Sequence, residues 1–283
     1  MRCLAALARQ DHPHDDYEVI IVDDAGVGDD GMTAALDEFR RLNNLAVRLV
    51  SQRTSGGPAV ARNAGAAAAR GRHLAFTDDD CEPRADWLSR LACHLRENPS
   101  AAVGGLTINS LPAVPYSTAS QLLIDYLYDY YHVELNGARF FTSNNLALAV
   151  DDFRAVGGFD ESFPLAAAED REFCERWQRS GRRLLYAEDV VVYHGHRLDF
   201  RQFTRQHFNY GRGADYLHRS RARHTGAPTR PKLEPLSFYS NLVRFPLRSG
   251  VSWRTLSLVG LMALTQLAYA CGYFAERLKR ARS

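Results

Sequence analysis

Three consecutive carboxylates, Asp78, Asp79 and Asp80, follow a short apolar run that ends at Phe76. The apolar run is typical of a buried strand, and open α/β sheets bind their ligands at the carboxyl ends of strands. Because three adjacent like charges repel one another, we expect a cation at this position. Carboxylate oxygens suit the hard cations Mg²⁺ and Mn²⁺. The alternative is an acidic loop that only caps the helix predicted to start near Pro83.

A second acidic pair ends another predicted strand. Residues 17–22 are mostly β-branched and lead into Asp23 and Asp24, and glycines mark the turn that follows. In the first 80 residues, strands and helices alternate. The strands are predicted at 17–24, 46–50 and 74–80, and the helices at 2–10, 30–42 and 59–70. This alternation predicts a parallel sheet covered by helices on both faces.

The later part of the chain has a looser pattern. The apolar run 140–150 contains Asn144 and Asn145, whose amides need partners or a ligand. The helix predicted at 116–135 is rich in tyrosine, which indicates packing or, alternatively, rings that contact a sugar. A basic helix is predicted at 199–221, broken at Gly211 and Gly213. Further helices are predicted at 85–97 and 169–179, and further strands at 101–109 and 184–194.

Composition excludes several classes of protein. The net charge of +2 over 283 residues is too small to favour nucleic-acid binding. The five cysteines are scattered without a Cys-x-x-Cys pair, so they indicate neither a zinc motif nor a disulfide framework. A reducing compartment follows, and we expect the protein in the cytoplasm or on the cytoplasmic face of a membrane.

One stretch near the C-terminus could reach a membrane. Residues 255–275 contain no charged residue and approach the length that spans a bilayer. Basic residues flank the stretch, with Arg254 before it and Arg277, Lys279, Arg280 and Arg282 after it. The alternative is a buried or interfacial helix.

Five short motifs occur in one order along the chain. They are Val22-Asp23-Asp24-Ala25, Ala61-Arg62-Asn63-Ala64-Gly65, Thr77-Asp78-Asp79-Asp80, Gly157-Gly158-Phe159-Asp160-Glu161 and Glu169-Asp170. Together they resemble glycosyltransferase family 2 of the GT-A fold over roughly residues 1–200. The resemblance implies an α/β fold with a Rossmann-like, mostly parallel central sheet flanked by helices and a C-terminal helical tail. The implied division is a glycosyltransferase domain at 1–197, a basic helical extension at 198–250 and an apolar helix at 251–283.

The resemblance also implies roles for individual residues. Asp78 and Asp80 match metal ligands, and His194 matches a position that completes the metal site in some members, with His196 as its competitor. Asp170 matches the catalytic base, with Glu169 beside it. The residues expected to bind the nucleotide sugar are Asp23, Asp24, Arg62, Asp78 and Asp79, and those expected to bind the acceptor are Asn144 and Asn145. A structural reading of Glu169 and Asp170 is that both acids favour the positive end of the helix they open.

Two departures from the family pattern matter. Met1 falls after the place where the family's first strand ends, so we expect a vacant position in the sheet beside the strand at 17–24. The Gln-x-x-Arg-Trp motif of processive members is represented only by Gln206-His207-Phe208-Asn209-Tyr210, which argues against a polysaccharide synthase.

The predicted function is metal-dependent, inverting transfer of one sugar from a nucleotide-diphosphate sugar to an acceptor hydroxyl. The acceptor is a sugar or a lipid-linked, membrane-proximal molecule, and the cofactor is Mn²⁺ or Mg²⁺. Two alternatives stay open: a nucleotidyltransferase, and a non-catalytic nucleotide-sugar-binding protein of the same fold.

Overall fold

The computed structural model describes residues 1–24, 30–134, 139–226 and 234–282. The helices are α1 (Arg2–Leu7), α2 (Asp30–Asn43), α3 (Pro58–Ala68), α4 (Trp87–Glu97), α5 (Pro115–Tyr128), α6 (Val150–Val156), α7 (Glu169–Arg179), α8 (Phe200–Thr225), α9 (Leu236–Arg244) and α10 (Trp253–Ala281). The strands are β1 (Val19–Asp23), β2 (Val47–Ser51), β3 (His73–Phe76), β4 (Cys81–Pro83), β5 (Ala101–Asn109), β6 (Leu146–Ala149) and β7 (Arg183–His194). The chain divides into two compact units. The first comprises Met1–Ile108, Phe140–Pro164 and Phe173–His194, and the second comprises Asn109–Arg139, Leu165–Glu172 and Gly195–Ser283.

The first unit contains a small parallel sheet made of β1 and β2. Their register runs from Val19 opposite Val47 to Asp23 opposite Ser51, so Asp23 ends its strand as predicted. Helix α3 packs on β1. A side-chain carbon on Gly65 would lie 3.1 Å from Val22 Cγ2, so the glycine lets helix and strand approach closely.

A five-stranded sheet with the order β3-β6-β5-β7-β4 forms the rest of the strand framework. The pairs β3–β6, β5–β6 and β4–β7 are antiparallel. The α/β fold class is as predicted, but the sheet is mixed rather than mostly parallel. Strict alternation of strands and helices ends at β3, because β4 follows it with no helix between them. The partner of β3 in the sheet is β6, which lies about 70 residues further along the chain.

The two sheets are separate in the described part of the chain. β1 has β2 as its sheet neighbour, and β3 has β6. No strand among the described residues occupies the other side of β1, where the sequence predicts a vacancy.

Part of the core of the first unit lies between α4 and the larger sheet. Trp87, Leu91 and Leu95 of α4 are buried, and they belong to the same hydrophobic cluster as Val190 and Val192 of β7. The apolar positions of α4 recur every four residues, which places them on one face of the helix.

The second unit is helical. Tyr126 of α5 is buried, and its hydroxyl donates a hydrogen bond of 2.8 Å to the carbonyl oxygen of Phe238 in α9. The rings of Tyr126 and Tyr130 also contact Phe238. These aromatic side chains therefore serve packing, which was one of the two interpretations of this tyrosine-rich segment.

Helix α8 is continuous from Phe200 to Thr225, so the predicted break at Gly211 and Gly213 is wrong. Both glycines lie where another backbone passes close by. A side chain on Gly211 would collide with the carbonyl oxygen of Tyr269 in α10, and one on Gly213 would collide with that of Ala167. Here glycine allows close packing instead of ending a helix.

Candidate active site

Asp24, directly after β1, stabilises the turn that precedes α3. Its carboxylate accepts hydrogen bonds from Ser55 Oγ at 2.7 Å and from the backbone N–H groups of Gly56 and Gly57 at 2.8 and 3.0 Å. Burial raises the pKa of this carboxyl, but the three hydrogen bonds outweigh it and hold the pKa below its ordinary value. Gly57 has a φ of +85°, a conformation that favours glycine. The ionised carboxylate thus stabilises the turn at residues 55–57, directly before α3 begins.

Arg62 and Asp78 form an ion pair at the end of β3. Arg62 Nη2 lies 3.1 Å from Asp78 Oδ1, and the guanidinium carbon lies 5.8 Å from the centre of the Phe159 ring. Only 16% of the Arg62 side chain is exposed, so the pair is better shielded than most surface ion pairs. One carboxylate oxygen of Asp78 therefore binds Arg62. The guanidinium supplies part of the positive charge expected beside the acidic triplet 78–80.

Asp80 lies beside His194. Asp80 Oδ1 is 3.3 Å from His194 Nε2, and both side chains are partly buried. Strand pairing sets this distance, because Cys81 at the start of β4 lies opposite His194 at the end of β7. A carboxylate oxygen and an imidazole nitrogen this close together are two donor atoms that one divalent cation can use. His196 belongs to the second unit, where its Nε2 lies 3.0 Å from Gln206 Oε1.

The remaining residues of the triplet region differ in exposure. Asp79 is exposed, whereas Thr77, Asp78 and Asp80 are partly buried. The hydroxyl of Thr77 is buried and has no hydrogen-bond partner among the described residues. A buried hydroxyl normally has a partner, so this atom is available to a bound ligand.

Asn63 joins two of the sequence motifs into one structure. Its Nδ2 donates to Phe159 O and to Glu161 Oε1, both at 2.9 Å, and its Oδ1 accepts from the Phe159 N–H at 2.9 Å. Gly158 has a φ of +66°, and a side-chain carbon there would lie 2.7 Å from Asn63 Oδ1. The sequence contained both motifs but gave no sign of this contact, which holds α3 and Arg62 in place.

Asn144 and Asn145 are buried in the first unit. Asn145 is 1% exposed, accepts from Trp87 Nε1 at 2.9 Å, and donates to Leu106 O and Val190 O at 3.1 and 3.0 Å. Asn144 Oδ1 accepts from Thr142 Oγ1 at 2.8 Å. These contacts favour a structural role for both amides over the predicted contact with an acceptor.

Glu169 and Asp170 begin α7 and belong to the second unit. Glu169 is buried, whereas Asp170 is half-buried and accepts a hydrogen bond of 2.7 Å from the Arg171 N–H. The preceding residue, Ala168, has a φ of +71°, which is unusual for a residue other than glycine. Strain of this kind persists only when the surroundings impose it, and Gly213 of α8 packs directly against Ala167. Asp170 is the more accessible of the two carboxylates.

Known proteins with similar sequences are glycosyltransferases. The family described as "Glycosyl transferase family 2" matches residues 1–157. A pre-mycofactocin glycosyltransferase of Mycobacterium tuberculosis is 30% identical over 223 residues, which cover 69% of this chain and 41% of the relative. The glycosyltransferase AglE of Haloferax volcanii is 27% identical over 213 residues, covering 75% of this chain and 67% of the relative. The chain therefore spans about two fifths of the length of the mycobacterial relative.

Solved structures share the fold. The mannosyltransferase PcManGT from Pyrobaculum calidifontis, in complex with GDP-Man and Mn²⁺, is similar with a TM-score of 0.64 at 19% identity, covering 96% of this chain and 82% of that one. S. aureus TarS 1-349 in complex with UDP-GlcNAc is similar with a TM-score of 0.54 at 18% identity, covering 99% of this chain and 87% of that one.

Proposed function

The chain belongs to glycosyltransferase family 2, and we propose that it transfers a single sugar from a nucleotide-diphosphate sugar to an acceptor hydroxyl with inversion at the anomeric carbon. The observation that carries this proposal is the pairing of Asp80 with His194 next to the Arg62–Asp78 ion pair at the end of β3. The proposed catalytic domain is residues 1–197, followed by a basic helical extension at 198–250 and an apolar helix at 251–283.

The donor nucleotide binds at the ends of β1 and β3 in this proposal. Asp23 and Asp24 contact the nucleoside, and Asp24 also fixes the turn at 55–57 through its hydrogen bonds. Arg62 contributes a guanidinium, whose planar donors suit phosphate oxygens. Asp78, oriented by Arg62, lies near the ribose, and Asp79 completes the donor site.

Asp80 and His194 are the proposed metal ligands, with Asp78 as a further candidate. The similar structure of PcManGT, which is in complex with Mn²⁺, supports a metal. The nitrogen donor favours Mn²⁺ over Mg²⁺, because Mg²⁺ prefers oxygen ligands. A bound divalent ion would stabilise the negative charge that develops on the departing diphosphate.

Asp170 is the proposed general base. An acceptor hydroxyl is a poor nucleophile until its proton is removed, and a carboxylate within hydrogen-bond reach can remove it. The acceptor oxygen then forms a bond to the anomeric carbon as the bond to the diphosphate breaks, so a single displacement inverts that carbon. The partial exposure of Asp170, against the burial of Glu169, supports this division of roles.

The acceptor is proposed to be a sugar or lipid-linked molecule at the cytoplasmic face of a membrane. Among the described residues, one helix, Trp253–Ala281, is long and apolar enough to cross a bilayer by length and composition.

Product analysis tests the proposal. The purified protein is incubated with a panel of nucleotide sugars, sugar and lipid-linked acceptors and Mn²⁺, with and without a chelator, while release of nucleoside diphosphate is followed. NMR of the glycosylated product gives the anomeric configuration. We expect chelator-sensitive release and an inverted anomer. Release of a sugar 1-phosphate instead, with transfer of the nucleoside monophosphate, would indicate a nucleotidyltransferase, and donor binding without release would indicate a binding protein.

A further inference from the structure

Helix α10 has two faces of different character. Thr255, Leu258, Met262, Thr265 and Glu276 are among the residues buried on one side. The opposite side carries the outer stripe, which we define as Leu256, Gly260, Leu267, Cys271, Phe274 and Leu278, all exposed. At 100° per residue, these six positions fall within an arc of about 60°. The outer stripe is therefore a continuous apolar band that runs nearly the whole length of the helix.

The inner face of α10 is fixed to α8. Gly211 of α8 lies against the backbone at Tyr269, and Gly272 of α10 lies against the backbone at Phe208. Such glycine contacts bring two helix backbones together. Because they occur on both helices, α10 cannot separate from α8 without losing this packing.

Ion pairs reinforce the same contact. Arg212 Nε of α8 lies 2.7 Å from Glu276 Oε2, whose side chain is 9% exposed, and Arg280 Nη1 lies 3.3 Å from Asp215 Oδ2. Hydrogen bonds from Arg212 and Tyr216 oppose the effect of burial and hold the pKa of Glu276 below its ordinary value. A spanning orientation of α10 would draw the arginines of α8 into hydrocarbon, which is costly for charged side chains.

The charged residues of α10 indicate what kind of surface covers the outer stripe. Glu276 is the only acidic residue in 253–282, and it forms an ion pair with Arg212. Apart from Arg280, which pairs with Asp215, the exposed charges near the ends of α10 are Arg254, Lys279 and Arg282, all basic. A second copy of the helix would offer no exposed acid to pair with them, whereas an anionic lipid surface would.

We infer that α10 lies in the plane of an anionic bilayer surface, with its outer stripe inserted among the acyl chains and its basic ends against lipid headgroups. Trp253, 89% exposed at the start of the helix, suits the interface between headgroups and hydrocarbon. An amphipathic helix of this kind buries its apolar face to a depth of about 5–10 Å.

Flotation of the full-length protein with vesicles tests the surface. The vesicles are phosphatidylcholine with or without about 30% phosphatidylglycerol. We expect binding to the anionic vesicles, and a loss of about tenfold or more in partitioning for the Leu267→Asp/Phe274→Asp variant. Leu42→Asp in α2 is the matched control, because Leu42 is 67% exposed and Leu267 is 64% exposed. Equal partitioning of all three proteins would overturn the inference.

Charge and depth are tested separately. Neutralising Lys279 and Arg282 to Gln should weaken partitioning roughly fivefold for each residue at low salt.

A fluorophore on Cys271, with Cys93 changed to Ser, should be quenched more by a shallow lipid-borne quencher than by one near the bilayer centre. Stronger quenching from the centre would mean that the helix spans. The Leu267→Asp/Phe274→Asp variant also tests for dimerisation through the outer stripe. If the wild type is a dimer in lipid-free solution, and the variant is a monomer that binds vesicles as well as the wild type does, then a second copy covers the stripe.

Discussion

Replacing Gly213 with alanine should impair sugar transfer without unfolding the protein. An added Cβ would lie 2.6 Å from Ala167 Cβ and 2.7 Å from the Ala167 carbonyl carbon. Carbon atoms in contact are normally about 3.5–4.0 Å apart, so the segment before α7 must move by about 1 Å. That segment leads through Ala168, at a φ of +71°, into Glu169 and Asp170.

The size of the effect follows from this displacement. A misplacement of about 1 Å can cost a catalytic group roughly 10²-fold in rate, so we expect the turnover of Gly213→Ala to fall by about that factor. Overpacking costs roughly 1–3 kcal/mol in stability, partly offset by the gain of about 1 kcal/mol when alanine replaces glycine in a helix. The net loss of stability should therefore be small.

Gly260→Ala provides the matched control. Gly260 also lies inside a helix, but nothing lies within 4 Å of the added carbon, so this variant should gain stability and keep its turnover. The measurements are nucleoside diphosphate release, calorimetric donor binding and thermal unfolding of both variants. Wild-type turnover in a folded Gly213→Ala protein would refute the link between this contact and Asp170.

Three further changes have defined outcomes. Asp170→Asn should keep donor binding in calorimetry but lose transfer by about 10²–10⁴-fold, the usual contribution of a general base; lost donor affinity would place Asp170 in the donor site instead. Asn63→Ala removes three hydrogen bonds to the 159–161 segment. At about 0.5–1.5 kcal/mol each, their loss should lower the free energy of unfolding by roughly 2–4 kcal/mol in urea titrations. An unchanged free energy of unfolding would show that the contact is dispensable. His207 is buried, and burial lowers its pKa from 6.5 to about 4; the unfolded chain therefore takes up the proton first, and stability is lost as pH falls from about 6.5 towards 4. At about pH 5.5 this loss should be near 1 kcal/mol, and a wild type that loses no more than His207→Phe between pH 7.5 and 5.5 would contradict it.

The acidic ends of β1 and β3 were predictable because an apolar run followed by carboxylates is a local pattern. The pairing of Asp80 with His194 was only suggested by the family pattern. It depends on the register of β4, a strand of three residues, against β7, more than 100 positions away. Short strands carry too little periodicity to define a register.

Amides and glycines were the main sources of ambiguity. An asparagine in an apolar run needs a partner, but the sequence does not say whether a ligand or the protein provides it. For Asn145 the partners are Trp87, Leu106 and Val190, which only the assembled sheet brings together. The glycines of α8 are ambiguous in the same way, because glycine weakens an isolated helix and also permits close helix contacts.

Nucleoside diphosphate release by Asp80→Asn, at saturating Mn²⁺ and nucleotide sugar, tests the proposed metal-dependent transfer most directly. A neutral amide is a far weaker ligand for a divalent cation than a carboxylate, so we expect the rate to fall by about a hundredfold or more while thermal unfolding stays close to wild type. Asp151→Asn makes the same chemical change at a side chain that is 94% exposed, and it should keep the wild-type rate. Equal Mn²⁺-dependent release by Asp80→Asn and Asp151→Asn would contradict the assignment of Asp80.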